Sequence, residues 1–355
     1  MLVAQNRLEQ DNPHAVDGLF RLVAKRSVYG FAHISGLTKI VRSRYSGCGS
    51  LLMFHEVQDE VPAGLGGGIS PRFFEELLAW LRAQRWTFVS LSDVLRWQAK
   101  PPERFVCLTF DDGYRDFLTG ALPVLERHGA PFVLYIPTKA VTRDLYAWWL
   151  GLRELLLRND VVDIDAMGTR FTCSDIKHKI KAYRAITSWI RQDYRRQFAL
   201  EPTFAAAGLS LRELNERYYL NECQLRALSR HSLATIAGHT SSHAALSTLE
   251  LDDARLEITE NRRFLENVVQ KPVIDLAYPY GDENSCGPRE AMLAANEGFR
   301  SAVTSRGGQI WPQHRKSQFA LPRIGISMAE SRAVVDGRIS GIRGLFNPGR
   351  RVVTW

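Results

Sequence analysis

Six short apolar runs punctuate this chain: Leu51–Phe54 (LLMF), Phe105–Phe110 (FVCLTF), Pro131–Ile136 (PFVLYI), Ala234–Ala237 (ATIA), Val273–Ala277 (VIDLA) and Phe299–Thr304 (FRSAVT). Each is short for a helix, and near-continuous apolarity marks a strand buried on both faces. Helical patterns lie between them. Pro71–Arg85 (PRFFEELLAWLRAQR) has proline in its first turn and apolar residues at helical spacing, and Asp252–Val269 opens on acidic residues with the same repeat. Strands alternating with helices predict a mainly parallel α/β sheet or barrel.

One region departs from this rhythm. From about Leu145 to Arg230 the chain reads helical, aromatic and basic (YAWWLGLRELLLRND, then IKHKIKAYRAITSWIRQDYRRQF). It is predicted to be a helical insertion packed on the barrel. The chain then divides into a basic, partly helical segment at 1–46, a barrel at 47–330 interrupted at about 145–230, and a basic tail at 331–355. Gly64–Gly68 (GLGGG) lacks the following lysine or GxGxxG register of a phosphate cradle, so it reads as a loop.

The net charge of +8 invites a nucleic-acid reading until it is located. Residues 1–50 hold seven Lys/Arg against three Asp/Glu, and residues 331–355 hold five against one, so 51–330 is neutral. A nucleic-acid surface needs its cations on the folded body, so that class is excluded. The terminal cations lie beside apolar residues (LFRLVAKRSVYGF and GIRGLFNPGRRVVTW). They are either solvated ends or a peripheral contact with anionic membrane. No stretch approaches the roughly 20 apolar residues of a membrane span. The first 20 residues show no basic start followed by an apolar run, so no secretory signal is expected. Five cysteines (Cys48, Cys107, Cys173, Cys223, Cys286) without a CxxC pair fit reduced thiols. The expected location is cytoplasmic, peripheral at the inner membrane face.

Three motifs end apolar strands. In Thr109-Phe110-Asp111-Asp112-Gly113-Tyr114 two adjacent carboxylates close a strand, where they repel unless a cation or proton shares the site. In Gly238-His239-Thr240-Ser241-Ser242-His243 two histidines stand at i and i+4, the spacing that puts both on one face of a helical turn. Two nitrogens and one carboxylate oxygen would leave positions open for water, as in a hydrolytic divalent-metal site. The third, Ala277-Tyr278-Pro279-Tyr280-Gly281-Asp282, alone is a turn and beside the others a pocket wall.

TFDDGY, HTSSH and YPYG in this order resemble the polysaccharide deacetylases of carbohydrate esterase family 4, which share the NodB-type domain. The resemblance covers roughly 50–145 and 225–328. It implies a distorted, incomplete (β/α) barrel and a hydrolase that removes N-acetyl groups from N-acetylhexosamine units of a bacterial surface polysaccharide or its precursor. It also implies a divalent metal, zinc first, held by Asp112, His239 and His243, with Asp111 as general base. The Tyr114 N–H, Pro279 and Tyr280 would meet substrate.

The chain departs from the commonest family pattern twice. Ala277 stands where an arginine usually orients the base, and the last expected strand, Phe319–Ile324 (FALPRI), has no histidine to serve as acid. His55, closing the early run Leu51–Phe54, resembles the family's variant order, in which the acid histidine precedes the DD motif. His55 is therefore expected as the acid and Arg323 as the partner of Asp111, with His314, in a polar loop read as exposed, as fallback acid. Trp148 and Trp149 read either as a glycan subsite or as core of the inserted helices. The alternatives are hydrolysis of a non-polymeric amide (a formylated sugar or cyclic amide) and an inactive glycan-binding module.

Overall fold

The computed structural model describes residues 37–66, 68–96, 104–327, 331–342, 344 and 352–355. Residues 1–36 of the basic N-terminal segment and 345–351 of the C-terminal tail, on which the expected membrane contact falls, lie outside it. Among the described residues no helix is long and apolar enough to cross a membrane.

Eight strands form one parallel sheet: β1 (Gly49–Phe54), β2 (Thr87–Phe88), β3 (Phe105–Phe110), β4 (Phe132–Ile136), β7 (Ala234–Gly238), β8 (Asp275–Ala277), β9 (Ser301–Val303) and β10 (Ile324–Gly325). Their spatial order is β10-β1-β3-β4-β7-β8-β9, with β2 beside β3. Between β4 and β7 in sequence, β5 (Val161–Ile164) and β6 (Thr169–Thr172) form an antiparallel hairpin apart from this sheet.

The sheet curls into an incomplete barrel, and strand periodicity sorts its two faces. Leu51, Cys107, Val133, Tyr135, Ala237, Ala277 and Val303 fill the inside. The alternate residues Leu52, Phe54, Val106, Leu108, Phe110, Phe132 and Leu134 pack outward against surrounding helices. One of those helices, Pro71–Ala83, is capped by Ser70, whose Oγ accepts the Phe73 N–H, and buries Phe74, Leu77, Leu78 and Leu81.

Closure is local. The expected strand at Phe319–Ile324 is a 3-10 turn at Gln318–Ala320 followed by an extended link, and only Ile324–Gly325 is strand. Leu321 forms a single parallel bridge to Val303 of β9, while Ile324 and Gly325 pair with Leu52 and Met53 of β1. One five-residue segment thus touches both edges, with Pro322, which has no N–H to give, in the unpaired link.

The irregular region carries two helices that matter to the site, α1 (Trp148–Arg158) and α2 (Ile176–Gln192). With the β5–β6 hairpin, which the helical reading did not contain, they enclose an apolar cluster including Trp148, Leu152, Leu156, Ile164, Ile186, Ile190 and Phe204. The hairpin alternates exposed with buried positions in β5 and exposed with half-buried ones in β6, over only four residues per strand, too short a pattern to stand out in sequence. A third helix, α3 (Leu251–Val269), lies behind β7.

Candidate active site

The site lies past the ends of β3, β7 and β8, where all three motifs turn through left-handed backbone. Asp112 (φ 69°), Thr240 (φ 62°), His243 (φ 56°) and Tyr280 (φ 62°) adopt positive φ without being glycine. Such conformations cost energy and persist only where the surroundings hold them. At β3 the turn breaks strand alternation. Asp111 continues the inward row of Cys107 and Thr109, and Asp112, which alternation would send outward, is swung to the same site. Gly113 follows with φ 72°, which a side chain would disfavour.

The two histidines meet without a helical turn, contrary to the expected i, i+4 helical geometry. Residues 239–245 are irregular, and the left-handed Thr240 and His243 fold the chain back instead. Helix α3 holds this loop. Asn261 accepts the His239 N–H through Oδ1 (3.0 Å) and donates to the Ile136 carbonyl (3.0 Å), while Glu257 accepts from the Ser242 N–H (2.8 Å) and hydroxyl (2.6 Å). Asn261 is fully buried in the apolar stripe of Ala254, Ile258, Leu265 and Val268. A lone amide in such a stripe was the sequence signal for it.

Asp112, His239 and His243 are buried, and their ligand atoms lie within 4.8 Å of one another. Asp112 Oδ1 stands 3.4 Å from His239 Nε2 and 3.3 Å from His243 Nε2, yet has no hydrogen-bond partner among the described residues. His239 Nδ1 lies 2.8 Å from the Ala277 carbonyl, an acceptor only, so Nδ1 carries the proton and Nε2 presents a lone pair. Donors held about 2.1 Å from a tetrahedral ion stand about 3.4 Å apart, so this set fits a divalent cation, zinc among them. The His243 ring is held between Trp149 and Tyr280, each with centroids 4.8 Å away.

Arg323 reaches Asp111 from the closing segment. Its Nη1 and Nη2 donate to Oδ1 and Oδ2, both at 2.7 Å, while Nε donates to the Thr304 carbonyl at 3.0 Å. Burial raises the Asp111 carboxyl, but the charge and hydrogen bonds of Arg323 together with the nearby imidazoles outweigh it and hold the pKa below the usual value. For Asp112 burial is likewise overcome, by the nearby imidazoles, and its carboxyl lies well below its ordinary value. Half-buried His55 adds to the field at both carboxylates. Ala277, where the arginine was missing, supplies only its carbonyl to His239.

The remaining sequence candidates divide. Tyr114 N–H falls outside the backbone bonds on either side of it, Arg115 N–H to Tyr218 (2.7 Å) and Leu220 N–H to Gly113 (2.9 Å). Tyr280 is half-buried at the site, stacked on Tyr194 with centroids 3.9 Å apart, and Pro279 is buried behind it. His314 is buried rather than exposed, its ring tied to the Val353 carbonyl (2.8 Å) and the Trp311 N–H (2.9 Å), so neither nitrogen is free for acid work. Trp148 donates to the Tyr280 hydroxyl (2.9 Å) and Trp149 to the Tyr114 hydroxyl (2.7 Å). The insertion thus braces two of the three motifs while burying Trp148 in its own core.

Sequence reasoning missed a buried pair beside His55. Arg153 of α1 donates through Nη1 and Nη2 to the two carboxylate oxygens of Glu56, at 2.7 and 3.0 Å. Next to it, Asp116 Oδ2 accepts the Val57 N–H (3.1 Å), and burial, then the Glu56 charge, push its carboxyl up to about 8. A folded-state pKa raised this way gives stability that is complete below about pH 4 and lost as pH rises through about 8. Asp116→Asn keeps an oxygen for Val57 and removes the charge. Urea unfolding should then show a smaller loss of stability between pH 5 and 9 than wild type, and equal pH slopes would contradict the assignment.

Comparison with known proteins accords with this geometry. The sequence profile of the family described as Polysaccharide deacetylase matches residues 98–291. YxkH of Bacillus subtilis (strain 168), grouped by name with the polysaccharide deacetylases, is 20% identical over 297 residues, covering 82% of this chain and 76% of its own. The poly-beta-1,6-N-acetyl-D-glucosamine N-deacetylase of Escherichia coli (strain K12) is 30% identical over 122 residues, 29% of this chain but only 18% of that enzyme. The deacetylase PplD of Streptococcus pyogenes shares the fold, with a TM-score of 0.55 at 17% identity over 82% of this chain and 97% of that one. A single family accounts for more than half of the sequence and for the barrel, and the chain belongs to the polysaccharide deacetylases, hydrolases of carbon–nitrogen amide bonds.

Proposed function

We propose that this protein is a metal-dependent N-deacetylase of an N-acetylglucosamine-containing glycan. The observation that carries the reading is the buried Asp112, His239 and His243 cluster with the Asp111–Arg323 pair beside it. The Escherichia coli relative, named for such a polymer, supports the sugar. Asp112, His239 and His243 would hold the cation, which would supply Lewis acidity for the water and the amide carbonyl. Asp111, kept ionised by Arg323, accepts the proton of the attacking water. Arg323 fixes the carboxylate plane through its two parallel bonds. The Tyr114 N–H faces the oxygen that gains charge. His55 returns a proton to the departing amine, which leaves poorly as an anion. Trp149 and Tyr280 wall the acetyl-bearing sugar.

The test is acetate release from short N-acetylglucosamine oligomers. Prolonged chelation is expected to abolish release, and stoichiometric zinc to restore most of it. Release that survives complete removal of bound metal would overturn the reading.

A further inference from the structure

Helix α2 reads IKHKIKAYRAITSWIRQ, with five Lys/Arg and no acidic residue. It buries Ala182, Ile186 and Ile190. On its outer face Lys177, Lys181, Arg184, Ser188 and Arg191 are exposed, at steps of four, three, four and three that set them in one row. At helical rise the row is about 21 Å long. The fifth cation, Lys179, is turned into the carbonyls of Leu156 (2.6 Å) and Asn159 (2.9 Å). None of the four row cations forms an ion pair among the described residues. The neighbouring acids are engaged elsewhere, Asp175 with His178 (3.0 Å) and Asp193 with Arg195 (2.9 Å). Like charges a turn apart destabilise a helix, so this arrangement is unfavourable for the isolated fold.

The row ends at the candidate site. The Arg191 carbonyl accepts a bond from Asn284 (2.9 Å) in the loop that follows the third motif. One turn on, Tyr194 stacks on Tyr280, which touches the His243 ring. The Arg191 charge reaches both phenols.

A membrane-inserting face needs exposed apolar side chains, and on α2 only Ile176, at its very start, is one. A single terminal diphosphate would engage one point of the row, whereas a repeating anion matches a repeating cation along its whole length. We propose that the α2 row is a docking track for an acidic glycan, one whose repeat carries a carboxylate, leading the chain into the deacetylase cleft. The proposal rests on the glycan-deacetylase reading and adds the charge of the substrate to it.

The test measures binding first, so that it does not depend on turnover. Fluorescein-labelled hyaluronan oligomers, in which uronate alternates with N-acetylglucosamine, are titrated with the full-length protein by anisotropy, against neutral N-acetylglucosamine oligomers of equal length. At low salt the acidic oligomer is expected to bind at least tenfold tighter, with the advantage collapsing at high salt. K181E/R184E is expected to erase that advantage while leaving acetate release from neutral oligomers unchanged. Equal affinity for the two oligomers, or a preference untouched by K181E/R184E, overturns the track. Loss of binding to anionic phosphatidylglycerol vesicles in the variant, without any glycan preference in wild type, also overturns it and assigns the row to a membrane. Absence of acetate release alongside a variant-sensitive preference would overturn the deacetylase reading alone.

Discussion

Asp111→Asn is expected to lower kcat for acetate release by about 100- to 10,000-fold, the worth of a positioned general base. An amide cannot take the proton. The same substitution leaves the Arg323 guanidinium, only 1% exposed, facing an uncharged group. Breaking a buried pair from one side costs about 3–5 kcal/mol. The two effects separate in Asp111→Asn/Arg323→Met, which should recover most of the stability and none of the turnover. Acetate kinetics and urea unfolding on the same preparations check both. Retention of more than a tenth of kcat by folded Asp111→Asn would remove it as the base.

Arg153→Met should destabilise the fold by about 3–5 kcal/mol, because it strands the Glu56 carboxylate, 2% exposed, in the interior without its cation. Methionine keeps most of the aliphatic bulk, so the loss reports charge rather than cavity. The guanidinium also lies over the Tyr218 ring within the insertion, 4.9 Å from its centroid, and its bonds to Glu56 join the insertion to the barrel, so its departure loosens the two. Glu56→Gln/Arg153→Met, which removes both charges, is expected to regain more than half of the loss. A single variant within 1 kcal/mol of wild type at pH 7 would show that Glu56 finds water or another cation there. Since Glu56 follows His55 directly, folded Arg153→Met should also turn over more slowly.

The buried strands were legible because burial on both faces leaves unbroken apolar runs such as Phe105–Phe110. The cluster was legible because Asp111 and Asp112 are neighbours and the two histidines are four residues apart. β2 was not, since two residues carry no periodicity, and nor was the 3-10 turn that replaced most of the expected last strand. Spacing gave the histidine pair but not its backbone, because left-handed residues at Thr240 and His243 are selected by tertiary contacts rather than by composition. Arg323 could be named only by elimination, whereas Glu56 and Arg153 lie 97 positions apart with nothing local to join them. Their partnership is a property of the folded topology.

The way the barrel is drawn shut bears on how the protein comes into being. A growing chain has produced every donor of the Asp/His/His cluster by residue 243, long before Arg323, 212 positions beyond Asp111, has been made. Domains fold from the N-terminus as they are synthesised. A product terminated short of Leu321 would keep the donors, yet expose the edges of β1 and β9 and leave the Asp111 carboxylate free to rotate. On the proposed roles, turning on the chemistry and sealing the sheet are one event, set by the segment Leu321–Gly325. A chain that stops before that segment would hold the donors without the partner that fixes Asp111.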